Sequence, residues 1–451
     1  MRLLGITLFA TIILFAGLGK SPLWDRDETE YAQAVIEMQQ KNEWLIPTLE
    51  GQPFLEKPIF LYWVTRLSYK VFGVNEFSAR FPAALFGVLT CLAAVYLGKT
   101  LYGARAGFWA GMILASMFLF AGGFRLLLTD PLFVFFTTMA FTFYARSSLL
   151  LAYLSIGLAV LAKGPIGFFP AVIFVLYEWM QGKFSLKHAA WVGVSLAVAG
   201  PWFLYSFSHA RAATSTFFLY DNLSRLFQSF EGHSGPAFYY VIVLSLGVLP
   251  WTGFLISALR KDWAQRSKRF DPLKGGNLLL ALWSLSLFIL FSLSATKLPH
   301  YMFPVLPALA CWIGKFISED TQREKFAFKI CGGTLILFLS VIQFVLPAVD
   351  RHRVMKPIGA ALKNVPENAQ VYGYFISEPS LFFYGGRLFP LIETGTLDDL
   401  LSQKDPVFVI TKESRLKDAP PKTPFKTVER AEGFSENGGK MTVLLLSNNQ
   451  Q

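Results

Sequence analysis

The sequence predicts an α-helical polytopic membrane protein with a small C-terminal α/β domain outside the membrane, and three observations lead there. Of its 451 residues, 53% are hydrophobic and only 16% charged, against roughly 25% charged in ordinary soluble domains. About eleven apolar runs approach the length that crosses a hydrocarbon core about 30 Å thick. From residue 349 onward the composition turns to mixed charge with Pro and Gly punctuation. Together these exclude disorder and a single soluble globule.

The apolar runs fall near 3–19, 80–97, 107–124, 131–145, 149–162, 165–180, 189–207, 237–258, 277–294, 300–316 and 329–348. Those at 131–145 and 149–162 are short, which leaves room for a re-entrant or merged segment. The first, with Arg2 ahead of it and Ala16, Gly17 and Gly19 near its end, also fits a signal peptide. With so many spans following, an uncleaved anchor is simpler.

Lys plus Arg number 41 and Asp plus Glu 30, a net charge of +11. The excess sits in alternate breaks: Lys99 and Arg105, Arg146, Lys183 and Lys187, the cluster from Arg260 to Lys274, and Lys315 to Lys329. With a mean hydropathy of +0.44, this is the positive-inside pattern rather than a nucleic-acid footprint. It predicts a cytoplasmic N-terminus and places 20–79, 125–130, 163–164, 208–236, 295–299 and the tail on the outer side. The outer stretch 25–78 is acidic on balance, as that orientation requires. Cys91, Cys311 and Cys331 lie in apolar runs without metal-ligand spacing, so they predict packing and neither a disulfide framework nor a metal site.

The chain thus divides into a membrane domain, 1–348, and an outer domain, 349–451. In the tail, Gln370–Ile376, Val407–Thr411 and Met441–Leu446 read as strands, Met355–Lys363 and Leu397–Ser402 as helices. No internal repeat is evident, which weakens a transporter reading.

The first outer loop, about sixty residues long, exceeds ordinary connections and is not disordered in composition. Apolar residues at near-helical spacing, Ala32, Val35, Ile36 and Met38, then Ile59, Tyr62, Trp63 and Leu67, predict two amphipathic helices on the membrane surface. Its acidic start, Asp27-Glu28-Thr29-Glu30, fits either helix-dipole compensation or chemistry. Glu56-Lys57-Pro58 lies on the connection between the helices. Asp130, before Pro131, reads both as an N-cap and as an ionisable residue in an apolar setting, which is by default a site candidate. Arg225 and His233 lie in a later outer loop, where such groups are usually solvated. Lys297, His300 and Tyr301 stand at the start of the tenth span, where Lys snorkels and Tyr anchors. Lys, Arg and Tyr on one face are also what phosphate recognition needs.

In this order the pieces Asp27–Ala32, Glu56-Lys57-Pro58, then Gly73, Glu76, Phe77, Arg80 and Pro82, resemble the GT-C fold membrane glycosyltransferases, in particular the superfamily of the aminoarabinose (lipid A) transferases and protein O-mannosyltransferases. The resemblance covers most of the chain. It implies a sugar donor on undecaprenyl phosphate in the bacterial inner membrane, and an acceptor met on the periplasmic side: lipid A, another glycolipid or a protein. It implies Asp27 as general base or acceptor-orienting group, with Glu28 and Asp130 as further catalytic carboxylates. Lys57, Arg225, Tyr301 and Lys297 would surround the carrier phosphate, with Glu30, Glu56, His233 and His300 as further candidates. No metal or other cofactor is implied, since Lys and Arg supply the positive charge a departing phosphate needs. The aminoarabinose enzymes carry Arg where this chain has Glu30, so the charge beside Asp27 is reversed and their sugar is not carried over. The rival readings are a protein O-mannosyltransferase-like enzyme and a multi-pass transporter.

Overall fold

The computed structural model describes residues 2–183, 185–218, 224, 227–228, 234–265, 275–434 and 439–449. Every apolar run read from the sequence is mainly helical where described. The first is α1 (Arg2–Phe15), and the long α4 (Glu76–Tyr102) follows the outer loop. Next come α5 (Ala104–Ser116), α6 (Phe118–Gly123), α7 (Asp130–Ala145), α8 (Leu149–Lys163), α9 (Phe169–Met180) and α10 (Lys187–His209). Among the described residues five helices are long and apolar enough to cross a membrane: Glu76–Tyr102, Lys187–His209, Gly275–Leu293, Pro299–Ser318 and Thr321–Asp350. A sixth is reached only by joining Tyr239–Gly247 to Thr252–Gln265, and these two meet at 111°. The sequence reads that stretch as one straight span; Pro250, which has no N–H to donate, sits in the break. The backbone freed there is satisfied from outside, with Phe118 N–H donating to Leu249 O at 3.0 Å and Thr252 Oγ1 to Ser245 O at 2.6 Å.

Small residues set the tightest helix contacts. A Cβ on Gly107 would fall 2.4 Å from Val95 O, and one on Gly314 2.7 Å from Ala106 O, so α5 is held against both α4 and the helix Leu306–Ser318. The three cysteines are unpaired and buried in this packing.

The tail forms a five-stranded sheet, β3 (Gln370–Tyr374), β4 (Leu391–Ile392), β5 (Val407–Lys412), β6 (Lys426–Phe434) and β7 (Lys440–Ser447), in the order β4-β3-β5-β7-β6. β4, β3 and β5 run parallel and β7 is antiparallel to both its neighbours. The strands expected from apolar runs are β3, β5 and β7, and the two expected helices are Met355–Leu362 and Leu397–Leu401. Val371, Ile410, Val443 and Leu445 pack one face against Ile358 and Leu362, while Val409, Leu444 and Leu446 pack the other against Leu397 and Leu401.

The outer loop folds as α2 (Asp27–Gln40), a hairpin of β1 (Thr48–Leu49) and β2 (Gln52–Pro53), and α3 (Phe60–Phe72), giving the two helices its periodicity predicts. The buried Glu37 carboxylate holds the hairpin, accepting from Thr48 Oγ1 and Glu50 N at 2.7 Å and Gly51 N at 3.1 Å. The loop meets the tail: Leu23 N–H donates to Tyr384 Oη at 2.7 Å, Lys356 pairs with Glu76 at 2.5 Å, and the Arg353 guanidinium lies 3.7 Å over the Trp24 ring. Loop and C-terminal domain therefore stand on one face of the bundle.

A buried ion pair fixes where the loop begins. Arg80 of α4 and Glu28 of α2 are 3% and 1% exposed. Arg80 Nε donates to Glu28 Oε1 at 2.8 Å and Nη2 to Oε2 at 2.6 Å, while the other guanidinium N–H groups go to the carbonyls of Leu18, Ser21 and Pro22. All of its donors are thus used. Glu28 also accepts from Trp24 N and Leu127 N. Arg80→Ala would strand a buried carboxylate and three carbonyls, so it should lower stability by about 3–5 kcal/mol. Glu28→Leu/Arg80→Met should recover much of that loss, and thermal unfolding of the detergent-solubilised protein checks both.

Candidate active site

Asp25, Asp27 and Glu28 point in three directions because of one strained turn at Arg26. Arg26 adopts φ 61°, ψ −74°, and Asp27 N–H bonds to Asp25 O at 3.0 Å, a γ-turn of the rare positive-φ kind. Asp25 then accepts from Ser380 N at 3.1 Å in the C-terminal domain, Glu28 turns inward to Arg80, and Asp27 stays exposed. Asp27 lines a cavity of about 890 Å³ between loop and tail, together with Asp25, Arg26, Arg353, Glu378 and Tyr384. Glu28 is not among the lining residues, and both its oxygens are taken up by N–H donors. Its carboxylate is held within the fold, beside the turn that carries Asp27.

Asp130 lies at the first residue of α7, 3% exposed. Thr129 takes the cap position, so the capping role the sequence offers for Asp130 is not the one observed. Its carboxylate pairs instead with Lys163 at the end of α8. The same ammonium lies 5.7 Å from the ring centres of Phe133 and Tyr301, which brings Asp130, Lys163 and Tyr301 together. Lys163 was missed by sequence reasoning; the signal was a lone cation in Ala162-Lys163-Gly164-Pro165, a turn too short to draw notice. The Glu28–Leu127 hydrogen bond, 2.8 Å long, couples this cluster to Asp27, since Leu127 precedes Asp130 by only three residues.

Lys57 is half-buried with Nζ bonded to Glu56 O at 3.0 Å. Burial first, then Tyr62, Glu56, Asp27 and Glu30, push the Tyr31 phenol well above its usual range, so these three carboxylates share one corner with Lys57 beside it. Lys297 departs from its expected role. It is 7% exposed, and its ammonium bonds to Ser292 O at 2.9 Å and Ser294 O at 2.7 Å, capping the helix Gly275–Leu293 rather than snorkelling or pointing to a phosphate. His300 and Tyr301 stack edge to face at 5.1 Å, half-buried. Arg225 and His233 lie outside the described residues.

A helical bundle with an acidic juxtamembrane loop, cations grouped at that same face and a sheet domain packed on it is the arrangement that the resemblance to the GT-C fold implies. In sequence the chain is similar to the aminoarabinose transferases and, over part of its length, to the protein mannosyltransferase family. The family profile described as dolichyl-phosphate-mannose-protein mannosyltransferase matches residues 56–205. The undecaprenyl phosphate-alpha-4-amino-4-deoxy-L-arabinose arabinosyl transferase of Pseudomonas paraeruginosa is 32% identical over 360 residues, 76% of this chain and 64% of that protein. The corresponding Edwardsiella ictaluri protein is 30% identical over 327 residues, 69% and 58% of the two. The chain therefore spans about three-fifths of the length of these relatives. Among solved structures, ArnT from Cupriavidus metallidurans bound to undecaprenyl phosphate matches with a TM-score of 0.79 at 19% identity, over 99% of this chain and 98% of that one. The archaeal oligosaccharyltransferase AglB from Archaeoglobus fulgidus matches with a TM-score of 0.59 at 13% identity, over 91% and 69%.

Burial raises the carboxyl pKa values of Asp25 and Glu378, and for Glu378 the neighbouring Asp25 charge adds to the rise. The folded state then holds these protons more tightly than the unfolded chain, so this contribution to stability is present in acid and falls as pH climbs from about 4 through the raised values. Asp25→Asn, which still accepts from Ser380 N, should unfold at a higher temperature than wild type at pH 7.5, with the gap closing at pH 4.5. Thermal melts at the two pH values read this directly.

Proposed function

We propose that the chain is an integral-membrane glycosyltransferase that moves a sugar from undecaprenyl phosphate to an acceptor on the outer side, most simply lipid A or a related glycolipid. The observation that carries this reading is the coupling of two groups: Asp27 on a cavity wall, and the Asp130–Lys163–Tyr301 cluster one hydrogen bond away through Glu28 and Leu127. The names of the relatives and the undecaprenyl phosphate in the ArnT structure support the same donor.

In this mechanism an acceptor hydroxyl attacks the anomeric carbon of the donor sugar, and its proton passes to Asp27. The bond from that carbon to the phosphate oxygen breaks, and its electron pair leaves with the lipid phosphate. The growing charge is met by prepositioned donors, Lys57, Lys163 and the Tyr301 hydroxyl, with Arg225 assigned from the sequence. Asp130 holds Lys163, and Glu28 with Arg80 holds the turn that aims Asp27. Glu30 and Glu56 shape the acidic corner, and with the charge at Glu30 reversed the sugar of the aminoarabinose enzymes is not carried over. Eleven spans, a cytoplasmic N-terminus and a periplasmic 349–451 domain complete the reading, in a bacterial inner membrane. The match to a protein mannosyltransferase profile over 56–205 favours a protein acceptor as the second reading.

Asp27→Asn should lower transfer by roughly 10²–10⁴-fold, the usual worth of a positioned acid–base group, without loss of folded protein. Mass spectrometry of lipid A, glycolipid and glycoprotein fractions, with undecaprenyl-phosphate sugars quantified beside them, shows which fraction loses a sugar mass as donor accumulates. Wild-type transfer in a well-expressed Asp27→Asn variant would refute the assignment. A reporter fused after residue 451 should be active only outside the cytoplasm, and a cytoplasmic signal would overturn the span parity.

A further inference from the structure

The cavity that holds Asp27 has a neighbour. A second cavity, of about 490 Å³, lies between Lys20, just beyond α1, and the segment Ile342–Arg351 that ends the last span. Both cavities are lined by Pro22 and Lys356, so they adjoin at these residues. The second cavity sits where the first and last helices leave the bundle on the face that carries the C-terminal domain. The last helix turns lipid-exposed apolar groups outward just before it, with Phe344 72% exposed.

The gap is closed toward the bilayer core. Gly17 has φ +64°, and a Cβ there would fall 2.5 Å from Ile342 Cγ2, so the two helices touch directly below it. Ile342 belongs to a π-helical turn, Val341–Val345, an irregularity frequent at functional sites. The opening that remains is at the interface, where acyl chains give way to headgroups.

Its charge is uneven. Lys356 is paired with Glu76, and Asp350 with Arg353. Lys20 and Arg351 are exposed, and among the described residues neither side chain has an ionic or hydrogen-bond partner. Snorkelling would account for two cations at an interface. It does not account for a cavity behind them that shares Pro22 and Lys356 with the one lined by Asp27. A soluble protein segment would approach from water and needs no gap open to the bilayer.

We propose that this gap between the first and last spans is the portal through which a lipid acceptor slides in from the bilayer, with Lys20 and Arg351 taking a phosphate of its headgroup on the way to Asp27. The inference rests on the glycosyl-transfer reading and adds to it the place of the acceptor. Anionic headgroups are attracted by such clustered cations, and Arg offers a phosphate a bidentate fork.

Native mass spectrometry of the full chain tests it with three probes: diphosphoryl lipid A, its dephosphorylated form, and undecaprenyl phosphate. Lys20→Ala/Arg351→Ala should bind diphosphoryl lipid A roughly tenfold more weakly than wild type. The dephosphorylated lipid should bind wild type and variant alike, and undecaprenyl phosphate should bind both equally. Lys20→Arg/Arg351→Lys, which keeps both charges, should bind as wild type does. Equal affinity of wild type and the alanine variant for diphosphoryl lipid A would overturn the portal, as would glycosylation of a soluble peptide at one rate by both with no lipid A bound. A wild type that binds lipid A through these cations yet transfers no sugar would sustain the portal and count against the glycosyl-transfer reading instead.

Discussion

The Glu28–Arg80 pair is the constraint on which the face carrying the first loop and the C-terminal domain depends. Two charges removed from water lose several kcal/mol each in solvation, and attraction offsets that only with good geometry and full hydrogen bonding. Here both conditions hold, since the carboxylate and the guanidinium are each surrounded by partners. Those partners come from four places in the chain: the exit of α1, the start of α2, the outer end of α4 and the segment before α7. One pair thus fixes their mutual positions, and the two carboxylates proposed for chemistry, Asp27 and Asp130, hang from it on either side. Arg125 reinforces the same corner by donating to the Ile13, Leu14 and Ala16 carbonyls at the end of α1.

The membrane helices were legible because each carries apolar side chains over a long run, whether they face the bundle or its surroundings, and composition alone reports that. Their breaks were not. The turn at 248–251 is as apolar as the helices beside it, and only Pro250 marks it. In the tail, β3, β5 and β7 carry continuous apolar runs because they lie inside the sheet. β6 is an edge strand, Lys426–Phe434, mostly exposed and carrying Lys426, Glu429, Arg430 and Glu432, so nothing in its composition distinguishes it from a loop. β4 is two residues long and is defined only by its neighbour β3.

At the site, the sequence shows residue types in order but not the directions in which they point. Asp27 and Glu28 are adjacent carboxylates that no composition argument separates, yet successive residues on a helix point about 100° apart, and one is spent on Arg80 while the other faces the cavity. Lys297 and Lys163 make the converse case. Both are lone cations at the ends of apolar helices; Lys297 bends back on its own helix terminus, and Lys163 reaches a carboxylate on another. The difference lies in tertiary neighbours that local pattern does not encode.

Backbone strain at Arg26 makes sense in this setting. A non-glycine residue in a positive-φ γ-turn costs of order 1–3 kcal/mol and persists only where its surroundings over-determine it. The residue before it is tied to Ser380 N and the residue two after it is tied to Arg80, so both ends of the turn are pinned by different bodies, the C-terminal domain and the membrane bundle. The strain therefore lies where the two meet, and Asp27 is the residue left between them. Because Asp25 holds the domain and Glu28 holds the bundle, any movement of one against the other is delivered to Asp27 first, which makes the fit of the C-terminal domain a determinant of the aim of that carboxylate.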